Sequence, residues 1–201
     1  MKKQLLFIFT FIIGYSSFAQ GYYNYYSEGN KKLNAKKYLE AEKIFKEGIL
    51  RTPELTELYV GLSHALVYQK KHEKADSVLD VLLVMDTSNA GGKWWKGMNY
   101  YFWKQDSLAI KWFKIYIPRI KPGDKNTRIV HWYITQSYFH WLKTGGLTFS
   151  QTEELLYHCE KFIDMLPDDP YNHSLTIIKD AVESQRPGGR HGKWKYIPPS
   201  K

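Results

Sequence analysis

An all-α solenoid of antiparallel helix pairs is the fold this sequence predicts, ending in a C-terminal capping helix and a flexible tail. Three observations carry that expectation. Ala41, Ala75 and Ala109 stand 34 residues apart. Gly29, Ser63 and Gly97 keep the same 34-residue interval, twelve residues upstream of the alanines. Apolar residues between these markers recur at helical spacing, as at Ala41, Ile44, Phe45 and Ile49. Small residues at a strict period of this length mark the points where the two helices of each repeat must approach closely.

The elements follow in order. Residues Tyr25 to Asn34 and Tyr38 to Arg51 read as the first helix pair. Thr52-Pro53 has the form of a helix start, threonine as N-cap and proline at the first helical position. The second pair is then Pro53 to Tyr68 and Glu73 to Met85, apolar at Leu55, Leu58, Leu62 and Leu66, then at Ala75, Val78, Leu79 and Leu82. Asp86 to Gly92 has the Asp, Ser, Asn and Gly content of a loop. The third pair occupies Lys93 to Trp103 and Ser107 to Ile117, and Pro118 with the stretch from Lys121 to Asp124 stops it.

The fourth unit is irregular. Its first helix runs from Thr127 to Lys143, and a longer turn, Thr144 to Phe149, precedes a capping box of Ser150 with Glu153. That second helix reaches Met165 and ends at Pro167. Asp169-Pro170 opens a closing helix to Gln185, apolar at Leu175, Ile178 and Val182 and polar elsewhere. Pro187-Gly188-Gly189 prevents its continuation.

The two ends differ from the body. Lys2 and Lys3, the apolar run Leu5 to Ile13, and Ser17-Phe18-Ala19 predict a signal peptide over residues 1–19, cleaved before Gln20. The apolar run is shorter than the about 20 residues a membrane span needs. The expectation is an exported chain, periplasmic or secreted, with a repeat domain over 22–185 and no transmembrane span after cleavage. Cys159 is the single cysteine, so the exported fold must rest on its core rather than on disulfides. The formal charge of +9 is concentrated at the C-terminus: Arg186 to Lys201 holds five bases and no acid. That segment, 186–201, has too few apolar residues to fold alone and is expected to be a basic flexible tail.

The period resembles that of the tetratricopeptide repeat family. Gly29-Asn30, Tyr38, Ala41, Phe45 and Pro53 carry the likeness in the first unit. Tyr59, Leu62, Ser63, Ala75 and Leu79 carry it in the second, and Gly97, Tyr100, Tyr101, Ala109 and Phe113 in the third. In the fourth, Leu155, Cys159, Phe162 and Pro167 fit the second-helix spacing, so the resemblance spans about residues 22–167. Gly48, Lys93 and Lys96 depart from the pattern. The two lysines stand at usually apolar positions, which implies a third unit whose first helix is rotated or starts late.

The resemblance implies a superhelix with a concave face lined by the first helix of each unit, and a protein or peptide partner held there. The residues it places on that face are Tyr23, Tyr26, Asn30, Val60, His64, Val67, Tyr68, Trp94, Met98, Tyr101 and Phe102. Members that clamp a peptide carboxylate use lysine, asparagine and arginine on this face. Only Asn30 matches here, with Tyr26, Gly61, Gly91 and Trp95 at the other positions, so a carboxylate clamp is not expected. What remains is an aromatic groove with few charges, and aromatic side chains often dominate binding energy at interfaces. Two other readings stay open: a small-ligand or glycan binder stacking on Trp94, Tyr101 and Tyr26, and a structural subunit of an envelope assembly.

Catalytic chemistry finds little support. The seven histidines lack zinc-site spacing, and Gly92 to Gly97 mimics a phosphate loop but continues with Met98 and Asn99 where lysine and a hydroxyl residue are needed. The expectation is no enzyme, no metal and no cofactor. In the tail, Arg190, Lys193, Trp194 and Lys195 interleave cations with an aromatic, which suits an anionic envelope component or simply keeps the chain soluble. Export makes nucleic acid a poor target.

Overall fold

The computed structural model describes residues 24–120, 125–186 and 192–197. The expected signal peptide, Tyr23, the stop from Lys121 to Asp124, and Arg190 lie outside the described residues. The chain divides into two compact units, one reaching Trp95 and the other starting at Lys96. The first holds α1 (24–34), α2 (Tyr38–Arg51), α3 (Thr56–Tyr68), α4 (His72–Met85) and the start of α5 (Ala90–Phe102). The second holds the rest of α5, then α6 (Asp106–Tyr116), a 3-10 turn (Ile117–Arg119), α7 (Lys125–Thr144), β1 (Leu147–Thr148), α8 (Phe149–Asp164), α9 (Asn172–Gln185) and β2 (Lys193–Trp194). The fold class is the predicted one, helix pairs throughout with a closing helix. Among the described residues, no helix is long and apolar enough to cross a membrane.

The 34-residue period has a direct packing cause. Ala41, Ala75 and Ala109 are all fully buried. A Cβ added at Gly29 would stand 2.5 Å from the Phe45 ring, and one added at Gly97 2.6 Å from the Phe113 ring. Each aromatic lies 16 residues after its glycine; in the second repeat Ser63 is followed at the same distance by the smaller Leu79. The size of the first-helix residue is thus matched to the core residue of the second helix, as close packing demands.

The turns within the first three pairs repeat as well. Lys36, Lys70 and Lys104 adopt left-handed backbone, with φ of 57°, 60° and 62°. Around each, the next amide closes a Schellman-type bond to the helix behind it: Lys37 N to Lys32 O at 2.9 Å, Lys71 N to Leu66 O at 3.0 Å and Gln105 N to Tyr100 O at 2.9 Å. In the fourth pair the bond spans the same five residues, Gly146 N to Trp141 O at 3.0 Å, but the donor is itself the left-handed residue, at φ 76°. The period slips there because α7 has 20 residues where α3 and α5 have 13.

Several boundaries differ from those expected. Thr52 does not open α3. Its Oγ1 donates back to Gly48 O at 2.9 Å, ending α2, and α3 starts only at Thr56. The loop after α4 ends at Asn89, whose Oδ1 accepts from Gly92 N at 2.8 Å and caps α5. Gly91 and Gly92 are therefore helical, and a Cβ on Gly92 would meet Leu82 and Leu83 at 3.0 and 3.1 Å. So α5 starts early rather than late. Lys93 and Lys96 are buried within it, the Lys96 ammonium lying 5.6 Å from the Trp112 ring.

The capping box of α8 is Thr148 with Gln151 rather than Ser150 with Glu153. Gln151 N donates to Thr148 Oγ1 at 3.3 Å and Thr148 N to Gln151 Oε1 at 2.9 Å. Pairing in β1 already holds Thr148 extended, which suits an N-cap. Asp169 likewise does not cap α9 directly. It accepts from Tyr171 N at 2.8 Å and from the Arg128 guanidinium at 2.6 Å, and the helix begins at Asn172.

The tail corrects the expectation most. Its described part folds back on the second unit instead of hanging free: β2 pairs antiparallel with β1, Leu147 opposite Trp194. The Trp194 indole donates to Thr152 Oγ1 at 3.2 Å, and the Tyr196 ring lies 5.6 Å from Phe139. Gln185 Nε2 donates to Ile197 O at 2.8 Å and its Oε1 accepts from Ile197 N at 3.1 Å. Composition conceals this because three aromatic or apolar residues suffice once a preformed edge receives them.

Candidate functional site

The first unit contains a cleft of about 260 Å3 between the first helices of successive pairs. Tyr26, Asn30 and Leu33 enter it from α1, and Thr56, Glu57, Val60, Gly61 and His64 from α3. Asn89 and Gly91 close it at the start of α5. The spacing of the α1 and α3 contributions is that of one helical face. Gly61 permits the close approach, since a Cβ there would lie 2.3 Å from the Phe45 ring tip.

Beside the cleft runs a row of rings within the same unit. The His64 imidazole stacks on Trp95 with centroids 4.1 Å apart and planes 25° apart. Tyr68 meets His64 at 5.1 Å and stacks on Tyr38 at 5.2 Å with an interplanar angle of 12°. Burial pushes the His64 pKa down to about 4, so the ring is neutral at neutral pH. Tyr68 keeps 42 % of its surface exposed and Tyr26 39 %, so both offer ring area to an incoming group.

Of the residues assigned to the concave face, Tyr26, Asn30, Val60 and His64 are brought together in this cleft, and Tyr68 adjoins it through His64. Val67 is buried in the core of the first unit, at 2 % exposure. Trp94 is half-buried on α5 and is not part of the cleft lining. Met98 is a correction: at 3 % exposure in the second unit it is core, which leaves no surface for a partner. Tyr101 and Phe102 form a separate cluster in the second unit. The Tyr101 ring meets Tyr133 at 4.9 Å, Phe102 at 5.5 Å and Trp132 at 6.4 Å.

Two contributors escape the sequence reading. Trp95 stands out there only as a departure from the clamp pattern, yet it is the stacking floor of His64. Glu57 is exposed at the cleft and brings its acidic side chain. Its position one turn before Gly61 and two before His64 on α3 is the signal that could have found it. In the tail, Lys193 and Lys195 are exposed, but Trp194 is half-buried against Thr152 and is not an open contact ring.

The second unit holds a buried polar cluster between α7 and α8. One Nδ1 of the pair His131 and His158 donates to the other across 2.7 Å. Burial, reinforced by Lys161, lowers His131 to about 4. Burial, together with His131 and Lys114, lowers His158 to about 3. Next to it, Glu154 accepts from Lys114 Nζ at 2.6 Å and from the Tyr138 hydroxyl. Cys159 is buried, its Sγ donating to Leu175 O at 3.2 Å, and burial drives its pKa to about 12; a thiol so placed is inert.

No protein-family model matches the sequence, and no curated protein matches it. Solved structures do. The chain is similar to a thermophilic TPR protein in Thermus thermophilus, with 18% identity, 80% of each chain covered and a TM-score of 0.57. It is also similar to MamA from Desulfovibrio magneticus, residues 41 to the end, with 17% identity and a TM-score of 0.64; 82% of this chain and 88% of that one are covered. A MamA double mutant gives the same identity and coverage at a TM-score of 0.63. With the 34-residue packing rule, these likenesses establish the architecture: the chain has the tetratricopeptide-repeat fold.

Proposed function

We propose that this chain is an exported, non-enzymatic interaction module that holds a peptide segment of a partner protein in the cleft of its first unit. The observation that carries the reading is the convergence of Tyr26, Asn30, Val60 and His64, drawn from two first helices, on one cleft. Exposed rings there supply apolar contact area at low entropic cost. The Asn30 amide makes no hydrogen bond with any described residue and suits a peptide main chain. The fold shared with a protein described as a TPR protein supports a binding role. The leader-like N-terminus supports export, and the exposed Lys193 and Lys195 would add an attraction to anionic envelope components.

Panning a random peptide library on the purified chain tests the proposal. Selected peptides are expected to bind with micromolar Kd and to lose at least about tenfold in affinity to Val60→Lys, a charge in the cleft wall that must be desolvated on binding. Selected peptides that bind Val60→Lys as well as the native chain, with helix content unchanged by circular dichroism, would defeat it.

A further inference from the structure

The cleft's chemistry carries the reading one step further, to the class of side chain it selects, and this inference rests on the proposed peptide-binding role. Among the described residues lining it, Glu57 is the one acidic side chain and no lysine or arginine is present. Glu57 forms no ion pair with any described residue; its contact is the neighbouring Thr56 hydroxyl at 3.4 Å. His64 adds no positive charge, because burial keeps it neutral.

An anion would find little to receive it. The start of α5 is already capped by Asn89 Oδ1 on Gly92 N at 2.8 Å. Glu57 itself occupies the first turn of α3, where an acidic group offsets the partial positive charge of the helix start. The face of the Tyr26 ring is electron-rich and attracts a cation further. We infer that the cleft selects an extended peptide bearing a lysine or arginine side chain, its cation against Glu57 and Tyr26 and an apolar neighbour against Val60 and Leu33.

Three capped tripeptides test this by chemical-shift titration of the 15N-labelled full chain: acetyl-Leu-Arg-Leu-amide, acetyl-Leu-Gln-Leu-amide and acetyl-Leu-Glu-Leu-amide. The arginine peptide is expected to bind about threefold tighter than the glutamine peptide and about tenfold tighter than the glutamate peptide at low salt, as exposed ion pairs allow. The preference should vanish in Glu57→Gln. Equal binding of all three peptides at the cleft would overturn the cation inference and leave the peptide cleft standing. So would an arginine preference that survives Glu57→Gln. Shifts confined to residues outside the cleft, or none with any peptide, would overturn both.

Discussion

Gly61→Ala should change the sign of its effect on stability when Phe45 is made smaller. In the native chain a Cβ at position 61 stands 2.3 Å from Phe45 Cζ, about 1 Å inside the 3.4 Å at which ordinary contact begins. The ring cannot retreat freely, because the same tip lies 2.5 Å from a Cβ position at Gly29, and Phe45 is fully buried. Overpacking of this kind costs about 1–3 kcal/mol, and so severe an overlap belongs at the upper end. Replacing glycine by alanine inside a helix returns about 1 kcal/mol, so the net loss should be about 2 kcal/mol. Phe45→Leu alone opens space and costs about 1–2 kcal/mol. In that background the clash is gone, and Gly61→Ala should stabilise by about 0.5–1 kcal/mol. Urea unfolding of the four variants, followed by far-ultraviolet circular dichroism, measures the cycle. An equal effect of Gly61→Ala in both backgrounds would refute the idea that glycine spacing in this chain is set by the aromatic core.

Further outcomes follow from the same structure. Lys70→Gly relieves a left-handed residue at φ 60° and should stabilise by about 0.5–1 kcal/mol; Lys104→Gly should gain less, since the Lys104 ammonium lies 5.3 Å from the Tyr101 ring. Urea midpoints compare the two. Because His131 and His158 have lowered pKa values when folded, the unfolded chain binds more protons below about 6.5. Their stabilisation is complete above that pH and should fall as pH drops toward 4, by about 4 kcal/mol between pH 7 and 5, about 2 from each histidine, with Lys114, Lys161 and Glu154 facing the pair. Midpoints at the two pH values, with His158→Gln showing a smaller drop, check this; a flat profile would contradict it. Trp194→Ala should release β2 and speed amide exchange at Leu147 without altering α2 to α4.

The fold was legible wherever a local rule repeated. The small-residue period anticipated the buried alanines and the Gly29–Phe45 and Gly97–Phe113 contacts, and the helix pairs emerged within a few residues of their structural bounds. Helix starts were harder, because Thr52, Ser150 and Asp169 each have cap chemistry, and none of the three caps the helix that follows it. In particular, Thr52 closes the preceding helix, and Asp169 receives Arg128 from 41 residues away. The left-handed lysines carry no compositional signal, as lysine is not a turn former. At the candidate site, first-helix positions in α1 and α3 line one cleft. Met98 stands 34 residues after His64 yet is buried, and α5 opens at the Asn89 cap in a stretch whose composition reads as loop. The return of the tail depends on a long-range strand pairing of two residues, which no window of sequence reveals.

The central claim is that the first-unit cleft is where this chain meets its partner. Hydrogen exchange of the full chain, with and without a saturating library-selected peptide, tests it most directly. Slowed exchange is expected in α1 from Tyr26 to Leu33 and in α3 from Thr56 to His64, lost in Val60→Lys. Protection confined to α6 to α9, or persisting undiminished in Val60→Lys, would contradict it.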